Sequence, residues 1–138
     1  MARFILKFHI CFFLSLMPFA YAAADEGRMR SYHFGLMHPS GVDFAGYTVE
    51  EKIRDDIYRF YTFGFPSIAA IGLTYYENYQ GSGLAATVGV GIGSVAYGSI
   101  AYQWEISEAD FVKLGAGFTT SIVYNGAHPV LSYEHRLR

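Results

Sequence analysis

The sequence predicts an all-β chain closing into a small antiparallel up-and-down β-barrel of about eight strands. Three observations carry that prediction. Hydrophobic residues recur with a period of two along several runs, as side chains do when they alternate across a strand. Turn residues interrupt those runs at short intervals. Charged residues make up only 16% of the chain and are nearly missing from the runs. Glu77 is the one charge between Arg59 and Glu105, and Lys113 the one charge between Asp110 and Glu134.

The first segment reads as an address rather than as fold. Arg3 and Lys7 form a basic start, Phe8 to Phe19 an apolar run broken by Ser15 and Pro18, and Ala20-Tyr21-Ala22 a small-x-small cleavage pattern. Residues 1–22 are therefore expected to be a cleaved signal peptide, and residues 23–138 a single β-barrel domain. The apolar run is shorter than the roughly 20 residues a spanning helix needs. The one cysteine, Cys11, lies inside this signal and follows Ile10, which does not suit a lipoprotein signal. A cysteine-free secreted domain of this size favours a bacterial envelope, because small eukaryotic secreted domains lean on disulfides. The formal net charge of −2 offers no basic surface for nucleic acid.

The strands are read in order. Residues 31–37 alternate Tyr32, Phe34 and Leu36 against Ser31, His33 and Gly35. Residues 44–54 are ambiguous. Thr48-Val49-Glu50-Glu51 has capping-box form, and Val49, Ile53 and Ile57 are spaced i, i+4, i+8, so a short amphipathic helix and an eighth strand both fit. Residues 57–65 are aromatic and strand-like, and Pro66-Ser67 breaks them. Residues 68–77 resume, and 78–83 is a loop. Residues 84–92 set Leu84, Ala86, Val88, Val90 and Ile92 against Ala85, Thr87, Gly89 and Gly91. Gly93-Ser94 is a turn signal. Residues 95–104 form a strand with less clean alternation. Residues 111–124 set Val112, Leu114, Ala116, Phe118, Thr120, Ile122 and Tyr124 against Lys113, Gly115, Gly117, Thr119 and Ser121, and 128–137 close the chain.

Two other architectures compete. Residues 83–104 carry no charge over a span long enough for a membrane helix, and Gly89-x-x-x-Gly93 could pack one. The dense glycines and the alternation have no reason to exist in a helix. A soluble sandwich or lipocalin-like barrel would put charge on the face opposite its apolar one. Here that face carries Gly, Ser, Thr and Ala. Such strands suit a barrel whose apolar face meets lipid and whose small and polar face fills a narrow interior. Tyr75, Tyr76, Tyr79, Tyr102, Trp104 and Tyr124 fall near strand ends, as interfacial belts do. Glu134 facing such an interior would pair with Lys113 or Arg59.

Residues 30–138 thus resemble the small outer-membrane β-barrels of Gram-negative bacteria. The resemblance implies localisation in the bacterial outer membrane, membrane lipid as partner, and lipopolysaccharide or protein contacts through exposed loops near 38–56 and 78–83. Two features depart from that class. The chain ends without a terminal Phe or Trp, and its length is small for eight strands, so an incomplete barrel closing by oligomerisation also fits. Oligomeric state is left open.

A narrower resemblance concerns chemistry. Tyr32-His33, Trp104-Glu105, Leu114-Gly115-Ala116-Gly117-Phe118-Thr119 and Pro129-Val130-Leu131 look similar to the lipid A palmitoyltransferase family, also eight-stranded barrels. That resemblance implies His33 as the candidate catalytic residue. The family's Asp-Ser pair is absent; the matching region reads Gly91-Ile92-Gly93-Ser94. His33, His38, His128 and His135 have no metal-ligand spacing. Gly89-x-Gly91-x-Gly93 lacks the residues of a phosphate loop, and no EF-hand pattern surrounds Asp55-Asp56. No cofactor or metal is expected. The leading expectation is a structural or interaction barrel without a catalytic site. The alternatives are a lipid A-modifying acyltransferase-like enzyme and a soluble periplasmic lipocalin-like binder.

Overall fold

The computed structural model describes residues 27–38, 43–92, 96–120 and 125–137. The export-signal reading, the Gly93-Ser94 turn and Tyr124 lie outside the described residues. Eight strands follow one another: β1 (Arg28–Met37), β2 (Ala45–Arg54), β3 (Ile57–Phe65), β4 (Ile68–Tyr76), β5 (Gly83–Gly91), β6 (Ala96–Glu105), β7 (Asp110–Thr120) and β8 (Asn125–Leu137). Each pairs antiparallel with its neighbour in sequence, and β1 pairs antiparallel with β8. The sheet therefore closes within one chain, and closure by oligomerisation is not needed.

The ambiguous segment 44–54 is a strand. Its ambiguity has a physical origin. Val49, Ile53 and Ile57 are four residues apart, and a spacing of four satisfies both a helical turn and a doubled strand period. Register with β3, from Ala45↔Phe65 through Glu51↔Arg59, decides between them. Within residues 83–104, read alternatively as a membrane helix, the described residues form β5 up to Gly91 and β6 from Ala96 instead. β1 starts earlier than the alternation suggests, because Arg28 and Arg30 pair with Glu51 and Val49 at a charged end where no apolar pattern marks the strand.

Polarity is inverted relative to a water-soluble domain, in which apolar side chains fill the inside. Thr62, Thr74, Thr87, Gln103, Lys113 and Glu134 are buried in the interior. Ile71, Leu84, Val88, Ile100, Leu114 and Phe118 are exposed outside. The irregular alternation of β6 resolves simply: Tyr97 points inward, and Ile100, Tyr102 and Trp104 point outward.

Glycines make room for rings inside this narrow barrel. His33 is the register partner of Gly46, Phe60 of Gly72, Tyr97 of Gly89, and His128 of Gly117. A Cβ on any of these glycines would come within 2.6 Å of an atom of its partner's side chain. Each bulky side chain lies over the glycine beside it. The interior at these levels is occupied by the protein's own rings, which leaves little of the lumen a lipocalin-like binder requires. At Gly35 a Cβ would lie 2.1 Å from the Leu131 carbonyl oxygen, and the β1–β8 register shifts between Gly35 and Met37, so a bulge is built on this close approach.

Connections alternate between two ends. One end, here the terminal end, holds the starts of β1 and the close of β8 with the turns at 55–56, 77–82 and 106–109. The opposite end holds the 66–67 turn, the ends of β1, β5 and β7 and the starts of β2, β6 and β8. Its 66–67 turn follows a cis Phe65–Pro66 bond, and Ile68 adopts φ 69°, an unusual conformation for a β-branched residue.

Candidate functional site

The chemistry-bearing side chains converge inside the terminal half. Glu50 of β2 accepts hydrogen bonds from the Tyr76 and Tyr79 hydroxyls, each at 2.8 Å. Lys113 Nζ of β7 donates to the Tyr76 hydroxyl at 3.3 Å and to Glu134 Oε2 of β8 at 2.5 Å. Arg136 Nε donates to Glu134 Oε1 at 2.7 Å, and another of its nitrogens donates to the Tyr79 carbonyl. The bonds make a closed circuit: Glu50, Tyr76, Lys113, Glu134, Arg136, Tyr79 and back to Glu50. Two carboxylates and two cations thus share one desolvated ring that spans the barrel from β2 to β8. Bringing charge out of water is costly unless it is paired and hydrogen-bonded, and this circuit supplies both.

The connection 77–82 closes the terminal end. The backbone carbonyls of Asn78 and Gly81 accept from Gln103 Nε2 at 2.8 and 2.7 Å. Tyr79 enters the interior, stacks on Tyr58 at 4.3 Å, and with Phe111 sandwiches the Arg136 guanidinium at 4.0 and 3.9 Å. Burial pushes the Tyr79 hydroxyl far above its ordinary range, with the nearby Glu50 carboxylate acting in the same direction. It therefore stays a hydrogen-bond donor. The sequence suggested Tyr76 and Tyr79 as belt residues and 78–83 as an exposed loop. Both tyrosines are interior instead, and the loop is drawn inward by Gln103 and Arg136.

At the opposite end His38 and Asp43, the described residues that flank the β1–β2 connection, are also buried. His38 Nε2 donates to Glu134 Oε2 at 2.9 Å, and the His38 ring stacks on His33 at 4.0 Å. Asp43 accepts from the Ser67 N–H and hydroxyl, each at 2.8 Å, so it ties this connection to the 66–67 turn. Burial pushes the Asp43 carboxyl up, and the two Ser67 bonds oppose that shift.

His33, the candidate carried by family resemblance, is fully buried on β1. Its Nδ1 lies 3.3 Å from Thr48 Oγ1, which pairs with Thr62 Oγ1 at 2.7 Å. Its Nε2 and the Ser132 hydroxyl have no hydrogen-bond partner among the described residues. No carboxylate bonds to the His33 ring among the described residues. Its surroundings are those of a packed interior histidine. Of the two partners suggested for Glu134, Lys113 is the one realised. Arg59 lies on the outside and pairs with Glu51 at 2.5 Å.

A second cluster lies on the outer rim of the terminal end. Asp110 Oδ1 accepts from the Tyr133 hydroxyl at 2.5 Å and from His135 Nδ1 at 2.7 Å, while Oδ2 accepts from the Ser107 hydroxyl at 2.5 Å. The residue types match a hydrolytic triad, but the order does not. Asp110 separates Ser107 from His135, so no base faces the serine hydroxyl. The cluster instead fixes the 106–109 turn. His128, at the other end, bonds Thr119 Oγ1 at 2.9 Å. No group of residues suited to hold a metal ion occurs among the described residues. An open apolar groove of about 470 Å³ runs along the outside, lined by residues including Phe63, Ala69, Ile71 and Val90.

Ser107, Gln103 and Arg136 were not legible as functional positions in the sequence. The signal available was the isolated Lys113, whose charge in an apolar run demanded a buried partner. No protein-family model matches the chain, and comparisons with curated proteins and with solved structures return no match.

Proposed function

We propose that this protein is a small outer-membrane β-barrel of a Gram-negative envelope, with a structural or interaction role rather than a catalytic one. Residues 1–22 would export it. The observation that carries this reading is the inverted polarity. Isoleucine, leucine, valine and phenylalanine cover the outside, while a lysine, an arginine and two glutamates are enclosed inside. Water is a poor solvent for that exterior, and lipid is a good one. The apolar groove beside Ala69 would be filled by acyl chains.

The interior supports a role without catalysis. Its ionisable groups satisfy one another in a closed circuit, and rings fill the levels above. An eight-stranded barrel of this kind leaves no aqueous channel. Fractionation of envelopes, followed by cold and boiled detergent gels, tests the proposal. The protein is expected in the outer-membrane fraction, with a boiled band that migrates differently from the unboiled one. Recovery entirely in the soluble periplasm would sink it.

A further inference from the structure

The charged rim of the terminal end is split by sign. On the arc from β1 to β3, Arg28, Arg30 and Arg59 face outward with Glu51 among them. The β2–β3 hairpin adds Lys52 and Arg54 against Asp55 and Asp56, which cancel. On the arc from β4 to β7, Glu77, Glu105, Glu108 and Asp110 follow one another, and Lys113, the one cation there among the described residues, is buried inside. Glu51 bonds Arg59 at 2.5 Å. Arg28 and Arg30 enter no ion pair among the described residues. Three guanidinium groups thus share one carboxylate, and this arc keeps a surplus of positive charge directed sideways from the wall.

Away from the rim the same face turns aromatic. The next outward residue after Arg30 on β1 is Tyr32, and after Arg59 on β3 it is Tyr61. The Tyr32 ring lies 5.2 Å from that of its register partner Tyr47, and the Arg59 guanidinium lies 5.6 Å from the centre of the Tyr61 ring. Tyrosine favours headgroup depth because it joins an apolar ring to a polar atom.

Tyr61 is also where the outer groove begins. From there the groove, about 470 Å³ in volume, continues past Phe63 and Ile71 to Val90 and Ile92. Ala69 forms its floor. The register partner of Ala69 is Phe63, and its carbonyl accepts from the Ile92 N–H at 3.0 Å. A small side chain between two large ones leaves a furrow along the wall, and the furrow is lined by hydrocarbon. Along β3 the outward residues Arg59, Tyr61 and Phe63 therefore join charge, interfacial ring and groove in one line.

Resting on the membrane reading above, we propose that this face is a site for one anionic phospholipid. Arg30 and Arg59 hold the headgroup phosphate, Arg28 adds charge, and an acyl chain lies in the groove over Ala69. The planar guanidinium fork matches phosphate oxygens two at a time. Two strand spacings separate β1 from β3, about 10 Å, so two long arginine side chains can close on one headgroup. A second copy offering its acidic arc is the competing occupant. Its acids are partly committed within their own chain: Glu77 accepts from the Leu84 N–H at 2.9 Å, and Asp110 accepts from Ser107, Tyr133 and His135. The groove, moreover, asks for a chain of methylenes rather than a carboxylate.

The full chain, refolded in a non-ionic detergent, would be titrated with phosphatidylglycerol and with phosphatidylcholine of the same acyl chains, and bound lipid counted by native mass spectrometry. One phosphatidylglycerol is expected to be held about tenfold more tightly than phosphatidylcholine. Arg28→Gln combined with Arg30→Gln should abolish that preference, and Glu105→Gln on the other arc should keep it. Ala69→Phe, which fills the groove, should weaken both lipids alike. Equal binding of the two lipids by the parent, or a preference that survives loss of the arginines, would overturn the inference and leave the membrane reading standing. Displacement of the lipid by inorganic phosphate, or a second copy bound in its place, would overturn it too. A parent chain that folds and stays monomeric without detergent would remove the membrane reading itself.

Discussion

Glu134 is the acceptor on which three interior donors meet: Lys113, Arg136 and His38. Removing it leaves two buried cations facing each other, and breaking a buried pair from one side costs about 3–5 kcal/mol. Glu134→Gln is therefore expected to lower unfolding stability in urea by that order. Lys113→Met should cost less, because Arg136 and His38 still bond the carboxylate. Equal losses, or the reverse order, would contradict the circuit. Asp43 makes a prediction of opposite sign. Its carboxyl is raised by burial, so the folded state favours the protonated form. Stability from this group is fully present below the ordinary aspartate range and is lost as pH rises through the raised value. Asp43→Asn keeps an acceptor for the Ser67 N–H without the charge. It should match or exceed the parent at pH 7, by up to about 1 kcal/mol, with the difference shrinking at pH 4. A loss that grows with pH would refute this.

At the scale of the strands, the interior is specified by register. A strand carries glycine where the partner strand carries a ring, and a slip of one residue would turn every ring outward. Gly72→Ala would place a Cβ 2.2 Å from the Val88 carbonyl oxygen, and Gly115→Ala one 2.0 Å from that of Ile100. Each contact is with backbone that cannot move alone, so each variant is expected to lose about 1–3 kcal/mol. Gly98 is the control. Its added Cβ would meet nothing closer than 3.5 Å, and Gly98→Ala should be neutral or slightly stabilising in the same unfolding assay. Strands of this kind were largely legible in the sequence, because the outward face of 84–92 and 112–118 is apolar without exception. β2 was not decided, since its apolar spacing suits two periods and its far end is charged. The interior site was half legible. Lys113 and Glu134 stood out as charges in apolar runs. Gln103, Arg136 and the inward turn of Tyr79 depend on which strands face one another across the barrel, and one strand's pattern does not encode that.

At the scale of the whole molecule, the charge distribution separates three zones: a charged rim, an apolar outer wall and a polar interior. The wall is the part that only lipid solvates well. A charge placed on it at mid-height, as in Val88→Arg, is expected to reduce stability in bilayers by about 2–4 kcal/mol. The same arginine in place of Glu108, on the rim, should be nearly silent. The two variants would be compared by urea unfolding in lipid vesicles, and equal effects would count against a lipid-facing wall. The most direct test of the central claim places a spin label at Val88→Cys in reconstituted bilayers and measures its collisions with oxygen and with a water-soluble nickel chelate. Frequent collisions with oxygen and few with nickel are predicted. Nickel collisions as frequent as those of a label at Glu108→Cys would show that the outer wall faces water and would contradict the account.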